Sequence, residues 1–475
     1  MVLETTALDG IDDHAGREPG DAAQEARERG AYWTAELAPF ARASVRASVG
    51  GLLTSVVPYL GLLVAMYYSL AVSYLVTLAI GVLAAGFLLR TYIVFHDCTH
   101  GSYLPTKRGN QWLGSVLGVM VFAPFANWRH NHAVHHATAA DLDRRGQGDV
   151  PTLTVAEYNA REWRGRLAYR LFRNPVVMFG LGPLGAMILA PRIVPRNARP
   201  RIKHSVHLTN LTLAVLIAGA CLLIGWRDYL LIQGPPALLA GAAGIWLFYV
   251  QHQFEDTYWE RNTGWTYADA ALRGSSYLKL PKILQFFTGN IGLHHVHHLN
   301  SRIPNYNLQA AHDSNPVFAS VPTLTIWDGL RATRLKLWDE DARRLVTFPQ
   351  ARAASAGVAR GRTLAAERSK GSDSERRAVG DLPRRRTESA GDHRAGGESG
   401  SGLGQRATTA GAGAGFRCHQ RLLPAGRRVA FVPKVPAFGE PSISRRSGGR
   451  AHYAKRVEPA VRPQLRTGSF RANQA

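Results

Sequence analysis

The segment between Arg46 and Arg90 constrains the fold most, because its 43 residues include no Asp, Glu, Lys or Arg. As an α-helix it would be about 65 Å long, roughly twice the hydrocarbon thickness of a bilayer. We therefore predict two membrane-spanning helices, at about 48–68 and 71–90, joined by a short turn near Ser69 to Ser73. A buried helical pair in a soluble protein is the alternative.

A second pair of apolar segments lies further along the chain. Only Arg227 and Asp228 separate the two segments, which predict spans at about 207–226 and 229–251. Pro235 and Pro236 fall inside the last span, where we expect a kink or a shift of the helix. Two other uncharged stretches, 109–128 and 174–191, are ambiguous. The second contains three prolines, which favour an interfacial or re-entrant path over a regular span.

The two ends of the chain differ from this middle part in composition. Residues 1–30 hold eight acidic residues against three arginines and are expected to be a disordered N-terminus. Residues 351–475 hold 25 Lys and Arg against 9 Asp and Glu and are rich in Gly, Ala and Ser. This composition predicts either a disordered basic tail or the translation of a shifted reading frame. The middle part, 31–350, would be the folded domain.

Most of the chain's net charge of +23 therefore comes from the tail. For this reason we expect no nucleic-acid partner for the folded part. The three cysteines, Cys98, Cys221 and Cys418, are far apart and form no CxxC pair. Neither a disulfide framework nor a cysteine zinc site is expected.

Histidines of the middle part are grouped in short motifs: HDCTH at 96–100, HNHAVHH at 130–136, QHQFE at 251–255 and HHVHH at 294–298. On a helix, residues three or four apart share a face. Three sets have this spacing, and they are His96 and His100; His132, His135 and His136; and His294, His297 and His298. His130 would point about 160° from His132, and His295 about 100° from His294. Of the ten histidines in the three motifs that hold more than one, eight therefore converge and two do not.

A single histidine is more often a surface or core residue than a ligand, but a repeated face-sharing pattern favours metal binding. Eight imidazoles exceed the four ligands of a tetrahedral zinc ion. They suit two octahedral ions, although imidazole ligands do not distinguish iron, copper, nickel and zinc. One site built from all three sets requires them to lie on one side of the membrane, which favours four spans with 109–128 and 174–191 at the interface.

Basic residues flank the ends of the apolar pairs on the same side as the histidines. They are Arg42, Arg46, Arg90, Lys107, Arg108, Arg192, Arg196, Arg199, Arg201 and Lys203. Positive charge favours the cytoplasmic side. We expect a multi-pass protein of the bacterial inner membrane with the histidines and both termini in the cytoplasm. The predicted fold is all-α, with two membrane hairpins, interfacial helices and a histidine-rich helical cap.

Four segments in order resemble the membrane fatty acid desaturases, most closely the bacterial delta-12 (omega-6) type. They are HDCTHGS, the HxxHH motif followed by ATAADLDRRGQGDVPTLT, YVQHQFEDTYW and NIGLHHVHHLNSRIPNY. The resemblance runs from about Ala31 to about Val346. It implies a non-haem di-iron centre on the cytoplasmic side and a ninth histidine ligand, His252.

The resemblance also implies the reaction and its participants. A cis double bond would be introduced into an acyl lipid or acyl thioester, with O2 as co-substrate and two electrons from outside the chain. No HPGG haem motif and no ferredoxin-type cysteine run is found in the sequence, so we expect a ferredoxin or a cytochrome b5-like donor.

Acidic residues near the histidines are candidates for orienting the imidazoles from outside the ligand shell. They are Asp97, Asp141, Asp143, Glu255 and Asp256. Two other functions stay open: a related di-iron hydroxylase or ketolase acting on lipid, alkane or carotenoid, and a non-catalytic membrane protein that binds or transports metal. Transporters usually place ionisable ligands near the middle of the bilayer, and these histidines follow the spans instead.

Overall fold

Four long apolar helices form the membrane part of the fold. The structure is a computed structural model that describes residues 32–146, 148–261 and 263–354. In chain order its α-helices are α1 (Val45–Ser69), α2 (Tyr74–His100), α3 (Lys107–Met120), α4 (Phe125–Thr138), α5 (Val155–Ala160), α6 (Trp163–Phe172), α7 (Pro200–Ile224), α8 (Trp226–His252), α9 (Tyr267–Leu272), α10 (Lys282–Phe287), α11 (His294–Leu299), α12 (Leu308–Asp313) and α13 (Ile326–Ala332).

Helices α1, α2, α7 and α8 are long and apolar enough to cross a membrane, with mean hydropathies between 1.5 and 2.0. Large apolar side chains on their outer faces are exposed, as expected for a surface that contacts lipid; Val57 is 58% and Leu222 is 88% exposed. The prediction of a helical fold with four membrane helices in two hairpins is confirmed. A fifth candidate is the bent pair Trp163–Phe172 and Val177–Arg192, which turns by 60°.

Local signals in the sequence explain where the first hairpin turns and ends. The hydroxyl of Ser73 caps α2 by accepting a hydrogen bond from Leu75 N. Across the turn, Ser69 Oγ lies 2.8 Å from Thr77 Oγ1, so both buried hydroxyls are satisfied. Helix α2 ends at Gly101, whose φ of 72° is a left-handed conformation that favours glycine.

The helix bounds differ from the predicted spans in one way that matters for the site. Helix α2 continues ten residues beyond the predicted limit at residue 90, because its last turns pack against the rest of the protein and become buried. His96 and His100 therefore lie on the membrane helix itself. Helix α8 runs without interruption through Pro235 and Pro236 to His252.

The segment 174–191 forms neither an α-helix nor an extended strand. It contains two π-helical stretches, Val177–Leu181 and Pro183–Leu189, which pack against α8. Wide helices of this kind are rare and occur often at functional sites. A short 3-10 turn, Ala190–Arg192, leads from this segment towards α7.

Two small sheets tie together the cap that covers the histidines. Strand β1 (Leu153–Thr154) pairs in parallel with β4 (Leu337–Asp339), which pairs antiparallel with β5 (Arg344–Val346). Strand β2 (Tyr277–Leu278) pairs in parallel with β3 (Thr323–Leu324). These strands of two or three residues show no periodic pattern in the sequence, so the all-α prediction did not include them.

Candidate metal centre

Nine histidines from four helices converge at one end of the membrane part. His96 and His100 occupy the last two turns of α2, and His252 is the last residue of α8. Helix α4 contributes His132, His135 and His136, and the six-residue helix α11 contributes His294, His297 and His298. Helices α2 and α8 are membrane spans, whereas α4 and α11 lie in the cap. The histidines therefore lie where the cap meets the membrane helices.

The nine histidines divide into two groups, in each of which the candidate ligand atoms lie within 4.8 Å of one another. The five-histidine group consists of His96, His100, His132, His136 and His297. The four-histidine group consists of His135, His252, His294 and His298. The two groups are neighbours, since the rings of His136 and His298 stack with centroids 4.1 Å apart.

Within each group the Nε2 atoms face one another at close range. In the five-histidine group, His132 Nε2 lies 2.9 Å from His96 Nε2 and 3.1 Å from His136 Nε2. In the four-histidine group, His252 Nε2 lies 3.2 Å from His135 Nε2 and 3.0 Å from His294 Nε2. Each group therefore directs several nitrogens towards a common centre.

Hydrogen bonds on the other ring nitrogen fix which atoms carry protons. His252 Nδ1 lies 3.1 Å from the carbonyl oxygen of Gly274, which can only accept, so the proton of a neutral His252 is on Nδ1. His135 Nδ1 likewise contacts the carboxylate of Asp149. The Nε2 atoms of His135 and His252 then face each other with lone pairs only, an arrangement that a cation between them would stabilise.

Burial keeps five of the cap histidines in the neutral form, which is the form that binds metal. Burial is the largest cause that lowers the pKa of His132, His136, His294, His297 and His298 well below the usual value, and neighbouring histidines lower it further. Several ring nitrogens in the two groups are buried without a hydrogen-bond partner among the described residues, including His100 Nε2 and His298 Nε2. Buried nitrogens without a hydrogen-bond partner are suited to binding a cation.

Two carboxylates orient histidines of the groups. Asp97, one of the predicted candidates, lies with Oδ1 3.1 Å from His96 Nδ1. Its Oδ2 accepts hydrogen bonds from the backbone and side-chain nitrogens of Asn305. Asp149, which the sequence analysis missed, holds His135. It lies in a loop beyond α4, behind Gly148 with φ of 76°, and no helical spacing links it to His135.

The other four predicted orienting residues lie elsewhere. Asp141 is buried and pairs with Arg144, whereas Asp143 and Glu255 pair with Arg261 and Arg344 at the surface. Asp256 is exposed. These acids are close to the histidines in sequence, but loop geometry turns their carboxylates towards arginines or solvent.

The two histidines excluded by helical geometry lie outside both groups. His130 is exposed on α4. His295 is fully buried, and its Nε2 lies 3.0 Å from His312 Nδ1, beside Phe318.

An apolar cavity of about 520 Å³ reaches both histidine groups. His96 and His132 of the five-histidine group and His294 of the four-histidine group lie in its wall. The remaining wall is mostly apolar and comes from α2, α8 and the π-helical segment, including Leu89, Met187, Gly244 and Phe248. Its size is that of a site for a small hydrophobic molecule.

The fold and the site together define an integral membrane protein with a histidine-rich site able to hold metal beside an apolar cavity. Comparison with known proteins identifies the family. The family model "Fatty acid desaturase" matches residues 34–323. The chain is 48% identical to the fatty acid desaturase of Bacillus subtilis over 315 residues, which are 66% of this chain and 90% of that protein. The chain therefore belongs to the fatty acid desaturase family, which makes it an oxidoreductase.

The names of two more distant relatives state the position at which each introduces a double bond. The chain is 25% identical over 273 residues to an sn-1 oleoyl-lipid 12-desaturase of Synechocystis sp., covering 57% of this chain and 74% of the relative. It is 27% identical over 233 residues to an sn-1 acyl-lipid omega-3 desaturase (ferredoxin) of the same organism, covering 46% and 62%.

Proposed function

We propose that this protein introduces a cis double bond into the acyl chain of a lipid at the delta-12 (omega-6) position, using two iron ions, O2 and two electrons from an external donor. The observation that carries the proposal is the apolar cavity bordered by both histidine groups. An acyl chain in this cavity would lie with its methylenes against the candidate metal ligands.

The proposed ligands are the nine histidines of the two groups: His96, His100, His132, His136 and His297 for one ion, and His135, His252, His294 and His298 for the other. The Nε2 atoms within each group lie 2.9 to 3.2 Å apart, close enough for several imidazoles to hold one cation. Five histidines in one group exceed the four ligands of a tetrahedral zinc site, which supports iron over zinc.

Iron in these positions would supply the dioxygen chemistry that removes hydrogen from an unactivated methylene, which no side chain can do. Over the whole reaction two C–H bonds break on adjacent carbons and one C=C bond forms. O2 is reduced to two molecules of water by these two hydrogens together with two electrons and two protons from outside the substrate.

The residues of the chain position the reactants and keep the site dry. Asp97 and Asp149 hold the Nδ1 protons of His96 and His135, so that the opposite Nε2 lone pairs point to the centre of each group. The apolar wall excludes water and holds the acyl chain by hydrophobic contact. The acyl chain would thus be oriented by imidazoles on one side and by apolar side chains of the cavity wall on the other.

We further propose that the histidines face the cytoplasm. The starts of α1 and α7 lie at the same membrane side as the ends of α2 and α8, and the basic residues Arg42, Arg46, Arg199 and Arg201 are near these ends. An external electron donor, a ferredoxin or a cytochrome b5-like protein, would reach the site from that side. The ferredoxin in the name of one relative supports this choice.

Fatty-acid profiling in a bacterial host that is rich in oleoyl lipid tests the function. Expression of the full chain should convert oleoyl groups to a di-unsaturated product with a new double bond at carbon 12, identified by gas chromatography and mass spectrometry. A double bond at another carbon would contradict the position alone. A hydroxylated product would instead support the related hydroxylases.

Metal analysis of the purified full-length protein tests the cofactor independently. Iron bound per chain should match two sites, and the variant His100→Ala should lower that ratio. His130→Ala serves as the matched control, because His130 is an exposed histidine of the cap. Zinc in place of iron, or no metal, would contradict the proposal.

A further inference from the structure

Arg173 is the residue after helix α6, and its side chain is 0% exposed. It is the largest of the fully buried side chains among the described residues. Arginine stays protonated in proteins, so its charge is buried with it. Among the described residues no carboxylate forms an ion pair with Arg173. Burying a cation is costly unless its donors are satisfied, and six oxygen atoms from neutral groups accept hydrogen bonds from Nη1 and Nη2. The Nε atom is buried without a hydrogen-bond partner among the described residues.

The six oxygens belong to segments that are far apart in sequence. Nη1 donates to Pro151 O at 2.8 Å, Thr152 Oγ1 at 3.0 Å and Tyr169 OH at 3.3 Å. Nη2 donates to Gln253 Oε1 at 2.9 Å, Tyr249 OH at 3.1 Å and Leu335 O at 3.2 Å. One guanidinium thus joins the loop before β1, the end of α8 and the segment before β4.

Two of these connections lead directly to the four-histidine group. Pro151 and Thr152 follow shortly after Asp149, whose carboxylate holds His135. Gln253 is the next residue after His252, and its Oε1 also lies 3.1 Å from Thr152 Oγ1. The guanidinium of Arg173 therefore joins the loop that orients His135 to the end of α8, which carries His252, and sets the distance between them.

The five-histidine group has no corresponding link to Arg173. Its orienting carboxylate, Asp97, is on α2 and is held by Asn305 instead. The contacts of Arg173 involve α6, α8 and the segments around β1 and β4, and none of them involves α2 or α11. The hydrogen bonds of Arg173 thus lead to the four-histidine group, although α4 and α11 carry histidines of both groups.

We propose that Arg173 is a positioning residue for the four-histidine group, which it holds in the geometry that binds an ion by joining the Asp149 loop to the end of α8. The inference rests on the proposed function, because it concerns the metal of one of the two proposed sites. A lysine in its place has a single ammonium head and cannot bridge acceptors that lie on both arms of the guanidinium.

Iron analysis of the full-length Arg173→Lys protein, purified from membranes, tests the inference. Loss of one of two ions should lower the iron-to-protein ratio by about half, while the protein remains folded and inserted. Arg170→Lys is the matched control on the preceding helix α6, since Arg170 is exposed and its Nε donates to Tyr158 OH at 2.6 Å. The control should keep the iron ratio of the unmodified protein.

Double variants identify which group has lost its ion. In the Arg173→Lys protein, adding His294→Ala should remove little further iron, because both changes affect the four-histidine group. Adding His100→Ala should remove most of what remains. The reverse pattern would overturn the assignment to the four-histidine group.

Gln253→Met keeps the side-chain volume and removes the acceptor, and it replaces Arg173→Lys if that variant fails to fold. A loss of iron confined to the four-histidine group supports the inference. Unchanged iron in folded Gln253→Met and Arg173→Lys proteins would overturn it, as would equal loss from both groups. Failure of the proposed function is distinguished because the unmodified protein itself would then contain no iron.

Discussion

At the scale of single residues, the site depends on which ring nitrogen of each histidine is free. His252 donates its Nδ1 proton to a carbonyl, and His96 and His135 face carboxylates, so their Nε2 atoms remain available. The position of a histidine along a helix does not by itself ensure that its Nε2 atom is available to a metal ion. His295 is fully buried on the same helix as His294, His297 and His298, yet its ring is turned to His312 and does not join either group.

The histidines of α4 should therefore differ in their effect on activity. His132→Ala, His135→Ala and His136→Ala each remove a proposed ligand, and we expect product formation to fall to the host background. His130→Ala changes an exposed side chain and should retain a large part of the activity. Gas chromatography of lipids from cells with equal protein levels measures this, and equal loss at His130 would show that the division is wrong.

Asp149 should matter more than the acidic residues that are its neighbours in sequence. Asp149→Asn removes the negative charge that holds His135, and we expect activity to fall about 10- to 100-fold. Asp143→Asn is the control, because Asp143 pairs with Arg261 at the surface. If both variants lose activity equally in the same lipid assay, Asp149 has no special role.

At the scale of secondary structure, α8 combines two functions in one helix. Its last residue is His252, and residues 244–251 just before it form a wall of the cavity with the π-helical segment. Gly244 leaves space at this wall: a Cβ atom there would lie 3.7 Å from Met187 Cε and 3.9 Å from Leu89 Cδ1. The absence of a side chain at residue 244 thus contributes to the depth of the cavity.

Filling this space should change which acyl chains are accepted. We expect Gly244→Leu to shorten the cavity, so that conversion of the longest chains falls most while iron content is unchanged. Gly234→Leu is the control on the same helix, where a Cβ would meet no atom within 4 Å. Chain-length profiles of the products measure the effect, and an identical profile for both variants would contradict the role of Gly244.

At the scale of the whole molecule, hydropathy and helical spacing predicted the four membrane helices and eight of the nine grouped histidines. Only the family resemblance indicated His252, since one histidine at the end of a span has no spacing partner. Asp149 and Arg173 could not be predicted, because they are positioned by contacts between residues that are far apart in sequence. The loop that carries Asp149 contacts Gln253 through Thr152, 101 positions away, and Arg173 contacts Gln253 and Leu335, 80 and 162 positions away. Such contacts depend on packing, which has no local pattern.

The described residues continue to residue 354, four residues beyond the predicted end of the domain at residue 350. Ala351 is 3% exposed and packs in a cluster with Tyr158, Tyr169, Leu337 and Val346. The predicted tail from residue 355 onwards lies outside the described residues. We expect a protein truncated after residue 354 to keep its activity in the lipid assay. A cut after residue 346 should lower the yield of folded protein, because it removes Ala351 from this cluster.

The parallel pairing of β1 with β4 has a consequence for the order of synthesis. Residues 153–154 can pair with residues 337–338 only after these have been made. The hydrogen bond from Arg173 to Leu335 O likewise forms only after residue 335 has been made. The membrane hairpins and all nine histidines are translated before that point. Since chains emerge from the ribosome N-terminus first, the loop that orients His135 reaches its final position only after residues 335–338 have emerged, later than any of the nine histidines.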